Sequence, residues 1–457
     1  LLPILLITDS IPCSNGAGIS QTLYNLFHGY SGAITVLVPS DEAIAPSDTR
    51  LHASILQYAA GPYRPLKSRL GRFVNPTLQR KQLAWQARHA LAHINLPEKE
   101  KYLILVSTTV PHKLHLAWLL SQRDYTVVPY FMDDWMANNS LRWKGGNLQQ
   151  VVKDLLAAAP AWLMISEALK NTLIKRYELA PKPCLVVHNP SPTVEFAVSG
   201  LQFAGRPDEH STFKLPTGNR ESTESQPTSG DDSYAITKLL VGAAKPAPSC
   251  QLPTANCQLI YAGSIWPMHA DALIAVAQAI HLLQRQGSSN FALHVYTSEA
   301  HWKQYASKLQ GPGVEYMGWK PYAELPPVLN MGWLLLCTAS FAEAYAPFSL
   351  SSVQTKLTDY MAAGRPLLYV GPPDGASGQF VEEQDCGFTI GNGNPADIAE
   401  GLQAIARMPT QYQRKAQNGL KAASTTFSKG VVQQRLYAFL AQVHPIYGGV
   451  APAMPAH

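Results

Sequence analysis

Six short runs in the first 190 residues are almost wholly apolar: ILLITD, AITVLVP, YLILVST, TVVPYF, WLMIS and CLVVHN. A strand with one wet face alternates apolar and polar residues. A strand that is apolar throughout must be covered on both faces, as parallel strands between two helical layers are. Between several of the runs lie stretches of helical length. LQRKQLAWQARHALAHI and NLQQVVKDLLAAAP are two, and SEALKNTLIKRYEL opens on a serine that can cap it. Such alternation specifies βα units and a doubly wound sheet. The opening LLPILLITD has no basic residue ahead of its apolar stretch and closes on Asp9. It is read as the first buried strand, not as a signal peptide.

The pattern stops and then restarts. Residues 199–255 are rich in Gly, Pro, Ser, Thr and acids, as in GRPDEHSTFKLPTGNRESTESQPTSGDD. That composition cannot supply a core and marks a peripheral insert and linker, with HSTFKL and YAITKLLVG as candidate strands inside it. A second series starts at CQLIYAG. It runs through the amphipathic DALIAVAQAIHLLQRQ and the strand-like FALHVYTS, VEYMG, WLLLCTA, PLLYVG and GFTI. ADIAEGLQAIARM, YQRKAQNGLKAASTTF and GVVQQRLYAFLAQV are helical. The predicted organisation is one α/β domain over 1–198, the insert over 199–255 and a second α/β domain over 256–425. A helix within 426–445 crosses back to the first domain, and 446–457 form a flexible tail. A chain of 457 residues is too long for one ordinary core, which agrees.

Composition excludes several classes. The formal charge of +5 is weak over this length, and the most basic stretch, KSRLGRFVNPTLQRKQLAWQARH, is discontinuous. It reads as a solvated face with some pull on anionic substrates or lipid headgroups, not as a nucleic-acid groove. The six cysteines are scattered and form no C-x-x-C, so neither a disulfide framework nor a zinc site is expected, and a reducing compartment is. No apolar run reaches membrane-spanning length.

Doubly wound sheets bind ligands beyond the carboxyl ends of their strands, so the loops there carry the candidates. In TDSIPCSNGAGISQTLYNL, Gly16 and Gly18 precede a helix, but the third fingerprint slot is Gln21. A nicotinamide or flavin oxidoreductase is therefore not indicated. In SSVQTKLTDYMAAGRPLLYVG, Lys356 and Asp359 stand on neighbouring turns of a helix that Gly364 closes. A carboxylate there can accept both hydroxyls of a ribose, and the lysine can meet phosphate. On the residues alone, a surface ion pair accounts for them as well. In VVPYFMDDWMANN, Asp133 and Asp134 follow a strand and could hold a metal, position a sugar or end the strand. His112, in STTVPHKLH, follows the preceding strand.

KLTDYMAAGRPLLYVG resembles the donor-nucleotide segment of the retaining GT-B glycosyltransferases of the family 4-like group, the glycosyl transferases group 1. IYAGSI and VEYMGWKPYAELPPVL resemble blocks of the same domain, and LMISEALKNTLIKRYEL and CLVVHNPSP resemble the end of the acceptor domain. The order holds over some 400 residues. The resemblance implies a GT-B fold, two doubly wound Rossmann-like domains facing each other across a cleft. It implies a ribose acid at Asp359, with Asp in place of the usual Glu, and a phosphate lysine at Lys356. Gly263 and Ser264 fall at the first turn of the nucleotide domain, Lys320 is a further phosphate candidate, and Gly16 and Gly18 line the first domain's loop. Asp133 and His112 become cleft residues beside the sugar or acceptor, with Asp134 and Trp135 as helix start and packing.

The implied reaction moves a sugar from a nucleotide-diphosphate sugar to an acceptor hydroxyl with retention, in polysaccharide, glycolipid or other glycan synthesis. No cofactor and no metal are implied. The acceptor is a carbohydrate, a lipid-linked group or a protein. The implied place is the cytoplasm, with peripheral contact to a membrane's cytoplasmic face left open. Two departures stand out. The family's sugar-binding Glu, eight residues before the ribose acid, is Ser351 here, and Glu343 lies further away. The Arg and Lys that usually follow the AGS turn are absent from AGSIWPMHADAL, where His269 stands nearby. These losses keep a second reading alive, a non-catalytic GT-B-like subunit that binds sugar or nucleotide.

Overall fold

The structure is a computed structural model. It describes residues 1–14, 16, 18–40, 49–58, 76–94, 96, 102–134, 136, 148–192 and 256–445, with backbone alone over 76–82. Two parallel sheets carry it. The first has the strands β1 (Ile4–Thr8), β2 (Ile34–Pro39), β3 (Ser54–Tyr58), β4 (Leu103–Ser107), β5 (Thr126–Phe131), β6 (Trp162–Met164) and β7 (Cys184–Val186). Their order is β3-β2-β1-β4-β5-β6-β7. The second has β8 (Cys257–Ala262), β9 (Phe291–Tyr296), β10 (Val314–Gly318), β11 (Leu334–Thr338), β12 (Leu367–Val370) and β13 (Gly387–Ile390), in the order β10-β9-β8-β11-β12-β13. In each sheet the first strand sits inside and the order reverses beside it, β1 between β2 and β4, β8 between β9 and β11. That reversal leaves a crevice at the carboxyl ends of the strands.

The all-apolar runs do what their composition requires. Every residue of β4, β8, β11 and β12 is buried. Side chains alternate between faces, so Leu5 and Ile7 join one core cluster and Ile4 and Leu6 another. In the second sheet Ile260 faces one way, and Leu259 and Tyr261 the other. Burying each Leu or Ile stabilises the fold by about 1.5–3 kcal/mol, so a charge placed at Leu6 or Leu335 would break its sheet. The cluster holding Leu5, Val106 and Leu169 also holds Ile260, Leu357 and Tyr360, so apolar packing is continuous between the two sheets.

Local signals account for the element ends. Ser166 caps the helix Glu167–Tyr177 by accepting from the Leu169 N–H at 3.0 Å. Gly364, with φ of 66°, ends the helix Lys356–Ala362, a backbone state that a β-carbon resists. The helix Lys429–Val443 buries Val432, Leu436 and Leu440 against Leu23, Leu26 and Phe27 of the first domain. Its Tyr437 hydroxyl donates to the Leu26 carbonyl at 2.6 Å. β3 has no counterpart among the runs picked out from the sequence. It is the edge strand SILQY, with mixed exposure and so no clean pattern.

The insert expected over 199–255, its two candidate strands, and the tail expected over 446–457 lie outside the described residues. Among the described residues, five cysteines are free, and no helix is long and apolar enough to cross a membrane.

Candidate functional site

β8 ends at Gly263, whose φ of 134° disfavours any side chain and whose N–H donates to the Tyr296 carbonyl at 2.9 Å. A β-carbon here would stand 3.6 Å from Lys356 Nζ. The glycine thus lets the strand end and the lysine approach each other. Lys356 opens the short helix Lys356–Ala362. That helix is pinned to β8 by Tyr360, whose hydroxyl donates to the Ala262 carbonyl at 3.1 Å and accepts from the Ala262 N–H at 3.0 Å. The position of Lys356 is therefore fixed by backbone, not by a mobile loop.

Lys356 Nζ is buried and has no hydrogen-bond partner among the described residues. It lies 4.0 Å from the centre of the Tyr261 ring. Burial pulls its pKa down to about 8. A ring face offsets only part of the cost of burying an ammonium group, so the site favours an added anion. One turn on, Asp359 is 9% exposed and accepts from the Tyr322 hydroxyl at 2.7 Å. Burial pushes its carboxyl up to about 7, with the Tyr322 bond opposing. The Tyr322 hydroxyl is bonded to Asn25 of the first domain as well. Asn25 donates to Asn189 at 3.2 Å, and Asn189 donates to the Thr355 carbonyl at 3.2 Å, just ahead of Lys356.

From the first domain, Asp133 follows β5 and accepts from Ser352 Oγ of the second domain at 2.8 Å. Burial pushes the Asp133 carboxyl up to about 6; Asp134 adds to the shift and Ser352 opposes it. Asp134 turns the other way. It is fully buried and accepts from Arg176 Nη1 and Nη2 at 2.7 and 2.5 Å, and from the Met136 N–H at 3.2 Å. Asp134 is half of a buried ion pair, which pins the turn after β5 to the helix Glu167–Tyr177. The helix expected to start there falls on residues outside the described ones. Trp135 lies outside the described residues. Two adjacent acids that point apart do not make a cation cage. Among the described residues no group of three or more His, Cys, Asp or Glu could hold a metal ion.

His112, in the first turn of the helix Pro111–Ser121, pairs through Nε2 with the Tyr58 hydroxyl at 2.9 Å. Tyr58 ends β3, so this pair and Asp133 share the carboxyl-end rim of the first sheet. Gly18, with φ of 53°, precedes the helix Ile19–Phe27, and a β-carbon at Gly16 would come within 2.5 Å of Ser20 Oγ. Both glycines serve a tight loop on the same rim. Ser264 follows Gly263, and its carbonyl accepts from Tyr261 at 2.8 Å.

Lys320 is not brought to Lys356 by any bond. It faces Glu324 at 3.5 Å on the surface, and its near neighbour Tyr322 reaches the site instead. Ser351 is buried, with its hydroxyl donated to the Pro347 carbonyl, so it does not stand in for a carboxylate. The sequence reading missed Tyr322, Ser352, Tyr360 and Gln354. A tyrosine or serine beside a motif carries no pattern that marks it.

Residues 256–408 match the model of the family described as glycosyl transferases group 1. Solved structures match over nearly the whole chain. HepE from Anabaena, in complex with UDP and glucose, is 13% identical with a TM-score of 0.59, covering 96% of this chain and 99% of its own. Sucrose-phosphate synthase from Thermosynechococcus elongatus is 12% identical with a TM-score of 0.61, covering 98% and 100%. The UDP-forming α,α-trehalose-phosphate synthase from Burkholderia vietnamiensis is 12% identical with a TM-score of 0.59, covering 99% and 100%. The chain has the GT-B fold. No curated protein matches it in sequence.

Proposed function

We propose that the chain is a retaining glycosyltransferase that moves a sugar from a nucleotide-diphosphate sugar to an acceptor hydroxyl without a bound metal. The observation that carries this is Lys356, a buried ammonium group with no hydrogen-bond partner among the described residues, one turn from a buried carboxylate and against a glycine turn. A nucleoside diphosphate fits that set. Asp359 accepts from the ribose hydroxyls, the Gly263 turn admits the diphosphate, and Lys356 meets it. Neighbours of similar fold hold UDP with glucose, UDP-glucose and UDP-2-fluoro glucose, which supports the choice of ligand class.

As the glycosidic bond breaks, charge builds on the leaving phosphate. Lys356 is placed to stabilise it, inside a site where burial strengthens the interaction. Asp133 and His112 orient the acceptor from the first domain, and the departing phosphate takes the acceptor's proton on the same face. No covalent nucleophile is assigned. The acceptor is a carbohydrate, a lipid-linked group or a protein side chain.

Turnover across a panel of nucleotide sugars, each with and without EDTA, tests this. Full dependence on added magnesium or manganese sinks the metal-free part. The absence of a carboxylate at Ser351 and of the Arg and Lys expected to follow the Gly263 turn in sequence favours a second reading, a subunit that binds nucleotide sugar without turning it over. Tight binding with no transfer or hydrolysis across the panel decides for it.

A further inference from the structure

Around the end of β11 the buried polar atoms without a partner among the described residues include Lys356 Nζ, Gln354 Oε1 and Asp271 Oδ1. The Asp271 carboxylate is otherwise bonded through its second oxygen, which accepts from Ser340 Oγ and the Phe341 N–H. The lysine is half of the site described above. The amide is not. Its orientation is fixed by chemistry. Gln354 Nε2 donates to the Thr338 carbonyl at 2.8 Å, and a carbonyl only accepts, so Oε1 must point elsewhere. The main chain is held too. The Gln354 N–H donates to Ser377 Oγ at 3.1 Å, and that hydroxyl donates to the Ser352 carbonyl at 3.0 Å. Gln354 cannot turn to find a donor without giving up these bonds.

His269 flanks the same carbonyl. Its Nδ1 donates to Thr338 O at 2.9 Å, and Thr338 Oγ1 donates back to the His269 carbonyl at 3.1 Å. The charge of Lys356 acts on both His269 and Cys337, which places amine and amide around one strand end. An unpaired cation calls for an anion. An unpaired amide oxygen calls for a hydrogen-bond donor. One ligand brings both, a phosphate whose substituent carries hydroxyl groups.

We propose that Gln354 is a specificity-determining residue that accepts a hydrogen bond from a hydroxyl of the donor sugar, beside the phosphate that meets Lys356. The inference rests on the nucleotide-sugar reading of the site. It divides the labour, with Asp359 and Lys356 holding the nucleotide diphosphate and Gln354 reading the glycosyl group.

Calorimetric titration separates the two. UDP, ADP and GDP, and their glucose conjugates, are titrated into the wild type and Gln354→Met, followed by conjugates lacking one sugar hydroxyl each. The variant is expected to bind the free diphosphate within about twofold of wild type and the conjugate about tenfold more weakly, one hydrogen bond's effect. One deoxy conjugate is expected to cost the wild type about tenfold and the variant nothing further. A Gln354 that only braces the loop would weaken diphosphate and conjugate alike, which overturns the proposal. The wild-type arm stands without the variant, because if no deoxy conjugate binds more weakly, the assignment fails. Wild-type protein that binds diphosphates but shows no sugar-dependent loss refutes Gln354 alone. Wild-type protein that binds no diphosphate refutes the nucleotide-sugar reading itself.

Discussion

Ser352 of the second domain donates a 2.8 Å hydrogen bond to Asp133 of the first. The bond joins the rims of the two sheets at the point where acceptor and donor sugar would meet. It also opposes the burial that pushes Asp133 up to about 6. Removing the hydroxyl by Ser352→Ala should raise the Asp133 pKa and move the acidic limb of kcat to higher pH. Asp133→Asn should lower kcat by tenfold or more while nucleotide affinity stays level, the pattern of an interaction made in the transition state. A pH profile of kcat on both variants checks this, and wild-type turnover in Asp133→Asn would leave that residue a purely structural role.

Burial makes the charged form of Asp359 costly in the folded state. It pushes the carboxyl up to about 7 in the fold, against 3.8 for the free side chain. Between pH 3.8 and about 7 the folded state holds a proton that the unfolded chain has released, so stability falls as pH rises across that window and stays at the lower level above it. Asp359→Asn keeps the bond from Tyr322 and carries no charge. It should melt higher than wild type at pH 8, by about 1–4 kcal/mol, and about equally at pH 4. Nucleoside diphosphate binding should weaken by about 1.5–3 kcal/mol in Asp359→Ala, as for hydrogen bonds to a charged group. Melting curves at both pH values and one titration test the pair of claims, and unchanged affinity in folded Asp359→Ala refutes the ribose role.

The lysine sets the opposite limb. With Lys356 pulled down to about 8, the free site loses its positive charge as pH rises through 8. Diphosphate affinity should fall there, and Lys356→Arg, which stays charged, should carry the limb out of range. Titration between pH 7 and 9.5 decides. Equal pH dependence in wild type and Lys356→Arg would remove the lysine from the phosphate.

The two sheets were legible because β4, β8, β11 and β12 are buried on both faces and must be apolar throughout. β3 was not, since an edge strand with mixed exposure obeys no such rule. The helix carrying Lys356 and Asp359 was legible from their spacing and from Gly364. Their partners were not. Tyr322 lies 37 residues from Asp359, Arg176 lies 42 from Asp134, and Ser352 lies 219 from Asp133. Such pairs are set by how loops and domains pack, and no local pattern encodes that.

The buried ion pair supplies a control for the site experiments. Arg176→Met leaves Asp134 fully buried without its cation, and should destabilise the fold by about 3–5 kcal/mol. Arg176→Met combined with Asp134→Leu removes the stranded charge and should recover most of that. Chemical denaturation of the three proteins measures it, and a double variant no more stable than Arg176→Met alone would mean that the turn needs the bonds themselves.

Tyr322 donates to one carboxylate oxygen of Asp359, the residue proposed to meet the ribose. Its hydroxyl joins Asp359 to Asn25, which ties that carboxylate to the first domain. If the nucleotide takes that oxygen, it must displace Tyr322, and the lost bond counts against binding. Tyr322→Phe removes the competitor. Diphosphate affinity should then rise by about twofold to tenfold, matching a net hydrogen bond of about 0.5–1.5 kcal/mol. The ligand-free variant should lose a similar amount of stability. Asn25→Ala should act in the same direction, more weakly, because it loosens Tyr322 without removing it. Titration of a nucleoside diphosphate into wild type, Tyr322→Phe and Asn25→Ala tests the displacement. Weaker binding by Tyr322→Phe would show that the hydroxyl stays and joins the ribose, which reverses its role from rival to ligand.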